Sequence, residues 1–201
     1  MKSLEFPDQD EQEDIREARE LWQKARTLTD ACELTAAWME GVIAFNPGSV
    51  GGPIDKETGP IAVQLAQINR LRLWTQESQP GEDSPEWRQR EFVHGLCEEA
   101  TARKLEELSN RSDLVTLSFW PGTPSFGQIP ASCSPEASAS LHLGASSNFS
   151  DPDGDSWQVL LRDTTKELTL VAAGLREVQI FDPVWGRTGL LFPSIIEALS
   201  A

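Results

Sequence analysis

The sequence predicts an α+β (or α/β) fold in which N-terminal helices pack on a mixed sheet of about four to five strands. Apolar residues recur at helical spacing through the first third of the chain, and short apolar or alternating runs that favour strands follow. The 201 residues are enough to bury a substantial core in one domain. Helices that precede and then alternate with strands are typical of helices layered on a sheet.

Three helices are expected before the first strand. Apolar spacing marks the first over 15–28, and Asp30 is predicted to cap the second, with an acidic residue three positions later. A loop rich in Gly and Pro covers 46–60, and the third helix follows over 60–70.

The rest of the chain alternates between strands and helices. β-branched, aromatic and other apolar residues predict strands at 71–75, 89–96, 114–120, 157–161 and 178–181. A polar turn is expected at 76–81. Helical spacing marks the segments 97–110, 164–175 and 193–199.

Two segments depart from this pattern. Residues 1–10 are expected to be disordered or frayed, so the single domain is predicted to cover 11–201. Within it, about 121–156 forms an insertion dense in Ser, Pro and Gly. Because so long a structureless loop is uncommon inside a compact domain, this insertion is either flexible or contains a short strand near 141–143.

The charge balance limits the range of partners. The chain carries 32 acidic against 17 basic residues, a formal net charge of −15. Such a surface repels phosphate backbones, so direct nucleic-acid binding is not expected. It is compatible with solvation alone, with a basic protein partner, or with mimicry of a nucleic acid.

Cysteine and histidine usage argues against a metal site. Cys32, Cys97 and Cys133 lie far apart, and only two histidines are present, so neither a disulfide framework nor a structural zinc site is expected. No nucleotide-binding fingerprint occurs, and no cofactor is predicted. No signal peptide or membrane span is apparent, which predicts a cytoplasmic protein and no membrane partner.

Three polar segments at or beside predicted strands are candidates for a binding site. In α/β sheets, ligands gather outside the C-terminal ends of strands. The first segment runs to the turn at 78–81, the second lies at 87–90, and the third at 182–187 follows the last strand. The candidate ligand-binding side chains are Arg70, Thr75, Ser78, Gln79, Arg90, Asp182, Trp185 and Arg187.

These side chains suit a small anionic or planar ligand. The three arginines would supply charge, Trp185 would stack, and the hydroxyl and amide groups would orient the ligand. Each segment also has a structural interpretation. The turn at 78–81 would cap a helix, Arg88 and Arg90 would pair with the surplus carboxylates, and Trp185 in a tight turn would cover the core.

An enzymatic alternative uses other residues. Ser78 or Cys97 would be the nucleophile, His94 the general base and Asp182 the group that orients it. The chain contains no G-x-S-x-G elbow, so a small hydrolase or transferase remains an alternative.

Several pieces of the chain resemble an uncharacterised family of actinobacterial (Streptomyces-type) proteins, a domain of unknown function. The matching pieces are ELTAAWMEG at 33–41, NR at 69–70 with Thr75, SQPG at 78–81, W-x-QR at 87–90, and DPVWGR at 182–187 with Leu190 and Pro193. The chain departs from the family's pattern at Arg72, Leu73 and Phe192. The resemblance implies an actinobacterial or actinophage source and a cytoplasmic location, and it transfers no activity.

The favoured hypothesis is a non-catalytic binding protein with a site for a small anionic or planar ligand, lined by polar side chains and Trp. The alternatives are the hydrolase or transferase and an acidic interaction protein. The latter would be a host or phage inhibitor that docks a basic partner, in one version by mimicking nucleic acid.

Overall fold

A computed structural model describes residues 9–47, 54–120, 123–124, 126–144 and 164–201. The expected frayed residues 1–8 and the strand predicted at 157–161 lie outside these ranges, as do 121–122, 125 and 145–156 of the predicted insertion.

The helices are α1 (Gln9–Trp22), α2 (Leu28–Met39), a 3₁₀ turn (Gly59–Ile61), α3 (Ala62–Arg70), α4 (Glu99–Glu106), α5 (Leu108–Arg111), α6 (Lys166–Ala173) and α7 (Leu191–Ser200). The strands are β1 (Trp74–Gln79), β2 (Glu82–Asp83), β3 (Arg88–Gln89), β4 (Phe92–Cys97), β5 (Val115–Phe119), β6 (Gly127–Cys133), β7 (Ser138–Leu143) and β8 (Arg176–Phe181). None of the described helices is long and apolar enough to cross a lipid bilayer.

The start of α2 differs from the prediction. The N-cap is Thr27, and Asp30 occupies the third helical position of a capping box. The backbone N–H of Asp30 donates to Thr27 Oγ1 at 3.1 Å, and Thr27 N–H donates to Asp30 Oδ2 at 2.9 Å. The backbone N–H of Arg26 also donates to this carboxylate and is the main cause of the lowered pKa of Asp30. Thr and Asp are both common N-cap residues, and the reciprocal bonds identify Thr27 as the N-cap of α2.

The first strand also differs from the prediction at 71–75. A turn follows α3, with Arg72 at φ +74° and its N–H bonded to Asn69 O at 2.8 Å, so β1 starts only at Trp74. It then continues to Gln79, through most of the segment predicted as a turn. Pairing with β4 accounts for this, because Ser78 lies opposite Val93 and Gln79 opposite Phe92.

Among the described residues, the strands form two four-stranded sheets with orders β1-β4-β8-β5 and β2-β3-β6-β7. All pairs are antiparallel. The α+β class with N-terminal helices is confirmed, and the strands divide between two sheets instead of forming one mixed sheet. Because β1 leads into β2 and β3 leads into β4, one long hairpin belongs to both sheets. Within the predicted insertion, β6 and β7 form a second hairpin, which confirms the expected strand near 141–143.

The first sheet is covered differently on its two faces. On one face, Val93, Cys97 and Ile180 pack against α3, α4 and α7 in the largest core cluster. On the other face, Trp74 and Leu96 at one end pack against α1, α2 and α6. At the opposite end of that face, Phe92 and Phe181 pack against the β6–β7 hairpin. A seam between helices and hairpin therefore crosses this second face.

Candidate functional site

Three of the predicted polar segments meet at one end of the first sheet. Since β1 and β8 are each antiparallel to β4, they run in the same direction and their C-terminal ends lie at the same end of the sheet. Gln79, Phe92 and Phe181 lie in register there. Three connecting segments extend from this end of the sheet: the turn at 80–81, the segment 88–91 and the loop 182–187.

Two glycines allow the segments to interlock. A Cβ atom on Gly81 would overlap the carbonyl oxygen of Arg187 and would lie 3.1 Å from its carbonyl carbon. Gly186 has φ +68°, and a Cβ there would overlap the side chain of Asp83. The N–H of Gly186 donates to Gln89 O at 3.0 Å. Both positions need glycine because backbone approaches backbone or side chain too closely for a methyl group.

Arg187 is engaged by the chain itself. The fully buried carboxylate of Asp182 accepts from Arg187 Nε at 2.6 Å and from Nη2 at 2.9 Å, and it also accepts from Val184 N–H at 2.8 Å. A second carboxylate, Asp113, lies 3.3 Å from Nη1. The hydrogen bond to Asp182 is the main cause of the raised pKa of Arg187. This bidentate pair closes the loop 182–187 on itself.

Trp185 and Arg90 form the second part of the interlock. Arg90 Nη1 donates to Pro183 O at 2.6 Å, and its guanidinium lies 4.4 Å from the centre of the Trp185 ring. Arg88 also lies over this ring, at 5.3 Å. The indole that was predicted to stack on a ligand therefore stacks on cations of its own chain.

Gln79 connects the first sheet to the second. Its Nε2 donates to Arg90 O at 2.8 Å and to Ala131 O at 3.1 Å, while its Oε1 accepts from Ser132 Oγ at 3.2 Å. The amide group thus bonds across the boundary between the sheets.

Arg70, Thr75 and Ser78 do not join this cluster, so the eight predicted residues do not form one site. Arg70 ends α3, before the start of β1, and pairs with both oxygens of Glu40 at 2.5 and 2.7 Å. A six-residue strand spans about 17 Å, which separates Arg70 from the Gln79 end. Thr75 is buried and hydrogen-bonded to Asn69. Ser78 lies on the sheet face that helices α3, α4 and α7 cover.

The residues of the enzymatic alternative are not brought together either. His94 shares a sheet face with Gln179, whereas Ser78 is paired with Val93 and Cys97 packs in the core of the opposite face. The sheet therefore lies between the predicted base and both nucleophiles. Burial also raises the pKa of Cys97 to about 12, so the thiolate is not available at neutral pH.

A cavity of about 320 Å³ lies at the seam, between the first sheet and the β6–β7 hairpin. Glu77, His94 and Gln179 are paired neighbours across β1, β4 and β8, and they form a polar row on the cavity's sheet side. The hairpin contributes Ser132, Ser140 and His142 among others. The lining is completed by Gln79, Phe92, Ala131, Ala139 and Leu141.

Two members of the polar row, His94 and Gln179, are buried and held in place, whereas Glu77 is exposed. His94 Nε2 lies 2.9 Å from Glu177 Oε1, and both side chains are almost fully buried. Gln179 is 1% exposed, and its Nε2 donates to His142 O at 2.9 Å and to Gly144 O at 3.0 Å. Its Oε1 has no hydrogen-bond partner among the described residues. A buried amide oxygen without a donor is unusual in a folded protein and calls for an explanation.

Sequence reasoning identified His94 and Gln79 but missed Gln179 and Glu177. Gln179 carries a simple signal, since it is a polar residue among the apolar residues of 178–181, whereas Glu177 lies just before that apolar segment. A buried polar residue is more informative than an exposed one. Their relation to His94 depends on the register between β4 and β8, which the sequence does not encode locally.

Comparison with curated proteins finds no relative of the chain. A family model described as a domain of unknown function, DUF6919, matches residues 17–201. The match includes the three interlocked segments and every residue of the polar row. The chain therefore belongs to the DUF6919 family.

Proposed function

We propose that the chain is a small-molecule binding protein whose site is the cavity at the seam. The observation that carries the proposal is Gln179, which lines the cavity and whose buried Oε1 lacks a donor within the described residues. A ligand that supplies an N–H or O–H at this point would satisfy the group. The cavity volume of about 320 Å³ lies at the lower end of the range for small-molecule pockets.

The lining favours a planar ligand that carries hydrogen-bond donors. The cavity has one carboxylate, Glu77, and no lysine or arginine among its described lining residues. Phe92 and Leu141 provide apolar contact, while Gln179 and Glu77 accept hydrogen bonds. A neutral or cationic amide, amidine or amino-heterocycle fits this chemistry better than an anion. Arg70, Arg90 and Arg187, which were expected to bind an anion, are engaged by carboxylates, a carbonyl and an indole.

Binding without catalysis is the simpler interpretation of this geometry. The hydroxyl of Ser132 in the cavity lining donates to Gln79 Oε1, and the Nε2 of His94 faces Glu177. An enzyme would need an activated nucleophile within hydrogen-bond reach of its base.

We further propose a cytoplasmic location in an actinobacterial or actinophage-infected cell. Cys32, Cys97 and Cys133 are all free thiols in the structure, which suits a reducing compartment. Fractionation of the native host with an antibody would test the location independently of any ligand.

The ligand proposal can be tested with three planar probes of different charge. Nicotinamide, benzamidine and benzoate are added separately at millimolar concentration while the melting temperature and the ¹H–¹⁵N spectrum are recorded. We expect nicotinamide or benzamidine to raise the melting temperature, because a ligand that binds only the folded state stabilises it. Shifts should centre on the Gln179 side-chain amide, and benzoate should have no effect.

A matched pair of variants locates the site. Ser140→Phe places a ring at the cavity and should abolish the probe shifts. Ser138→Phe makes the same change two residues earlier on β7, at an exposed position outside the lining, and should preserve them. The proposal is overturned if neither donor probe shifts the Gln179 amide, or if the two variants behave alike.

A further inference from the structure

We infer that a second site, a groove beside α1, docks an apolar protein segment flanked by lysine or arginine. The groove has a volume of about 680 Å³ and lies between α1 and the chain that follows α2. It is separate from the seam cavity and shares no lining residue with it. This inference therefore does not depend on the small-molecule proposal.

The groove has an apolar floor and two apolar walls. Ala18 and Leu21 of α1 form one wall, and Trp38 and Met39 of α2 lie at the floor. The other wall is the segment 41–44, which follows α2. A concave apolar groove is a common way to receive an amphipathic segment of a partner.

The second wall is fixed by its own bonds. Gly41 turns the chain at φ +71°, and the N–H of Val42 donates to Ala37 O at 2.8 Å. The buried indole of Trp22 donates to Phe45 O at 3.2 Å, and the Arg19 guanidinium lies 4.8 Å from the Phe45 ring centre. The groove is therefore preformed, which lowers the entropic cost of binding.

Large apolar side chains are exposed along both walls. Leu21 is 42% exposed and Val42 is 71% exposed, whereas Trp22, Leu28 and Met39 of α1 and α2 are buried. Scattered single apolar residues need no explanation, but here they face each other across a concave surface. Covering them would remove apolar area from water.

The rim identifies the partner's charge. Asp14, Glu17 and Glu40 line the groove, and no basic residue is present in its described lining. Glu40 is already paired with Arg70, whereas Asp14 and Glu17 form no ion pair within the described residues. The net charge of −15 adds a long-range field of the same sign. Both features attract a segment whose apolar residues are flanked by Lys or Arg.

A labelled peptide tests this complementarity on the full chain. The probe is a fluorescein-labelled amphipathic peptide of leucine and lysine, and the control peptide replaces every lysine with glutamate. We expect the lysine peptide to raise fluorescence anisotropy on binding, with an affinity that falls as salt is added. The glutamate peptide should not bind.

Two charge-matched double variants separate the groove from the general field. Asp14→Asn with Glu17→Gln removes the rim acids and should weaken binding roughly tenfold, at about threefold for each lost ion pair. Glu13→Gln with Glu20→Gln removes the same charge from the same helix. Those two residues pair with Arg16 and lie outside the groove, so affinity should change less than about twofold.

A third variant tests the apolar wall. Leu21→Ser should weaken peptide binding, because it removes an apolar side chain that is 42% exposed in the groove wall, and a cooperative melting transition above the assay temperature checks that the variant is folded. The inference fails if the lysine peptide does not bind or if both double variants weaken it equally. It also fails if light scattering shows a dimer that Leu21→Ser dissociates, since a second copy would then occupy the groove.

Discussion

Replacing Gly81 with alanine tests whether the interlocked segments hold the two sheets together. The added methyl group would overlap the carbonyl oxygen of Arg187 and lie 3.2 Å from the carbonyl carbon of Gly186. These atoms belong to the backbone of a loop fixed by the Asp182–Arg187 pair, so they cannot move aside as a flexible side chain would.

The expected cost can be worked from these contacts. Forcing a methyl group into closed packing costs about 1–3 kcal/mol. Displacing the loop would also weaken the bond from Gly186 N–H to Gln89 O, at about 1 kcal/mol. Alanine also stabilises the protein by about 0.4–1 kcal/mol, because it restricts the unfolded chain more than glycine does. The net loss in the free energy of unfolding is therefore about 1–3.6 kcal/mol.

Urea denaturation followed by tryptophan fluorescence measures this loss, and Gly174→Ala provides the control. Gly174 has φ −96°, and the nearest heavy atom to a built Cβ lies at 3.5 Å, which is ordinary van der Waals contact. The same substitution there should be neutral or stabilising by about 0.4–1 kcal/mol. Equal stability of the two variants would refute the interlock as a stabilising contact.

Three further predictions concern the cap, one carboxyl group and the thiols. Thr27→Ala removes the α2 cap and should lower the free energy of unfolding by about 1 kcal/mol, measured in the same urea assay. Burial raises the pKa of Glu91 above its ordinary 4.5, so its ionisation opposes folding as pH rises. Glu91→Gln should therefore gain stability relative to the unaltered chain as pH rises above 4.5, and a difference that does not change with pH would contradict the shift. Burial also raises the pKa of both Cys32 and Cys97 to about 12. Ellman's reagent should therefore label one thiol per native chain, that of Cys133. Rapid labelling of all three thiols would contradict the packing.

The parts of the fold that were predicted correctly are those whose signal is local. Helix α3 and strand β8 each have a strong apolar pattern, and the predicted ranges 60–70 and 178–181 overlap them closely. The extent of β1 was not predictable in this way. Its polar sequence from Gln76 to Gln79 resembles a turn, and only pairing with β4, some fifteen residues later, makes it a strand. Non-local pairing routinely overrides local propensity in sheets.

The candidate site shows the same division. The positions of SQPG and DPVWGR at strand ends predicted that these segments would meet, and they share one edge of the first sheet. The bonds inside these segments were not foreseen. Arg187, for example, is paired with Asp182 of its own loop and not with a ligand. The polar row at the seam depends on the register of three strands far apart in sequence. No single-strand pattern carries that information.

The central position of β8 has a consequence for how the chain folds as it is made. In the first sheet, β8 lies between β4 and β5, although it is the last strand along the chain. On the ribosome, β4 and β5 emerge long before their shared neighbour and cannot pair through it. Their facing backbone edges stay unpaired until residue 181 has emerged. A nascent chain with two waiting edges is exposed to wrong pairing, so synthesis and release of this protein should depend on chaperones more than its size suggests.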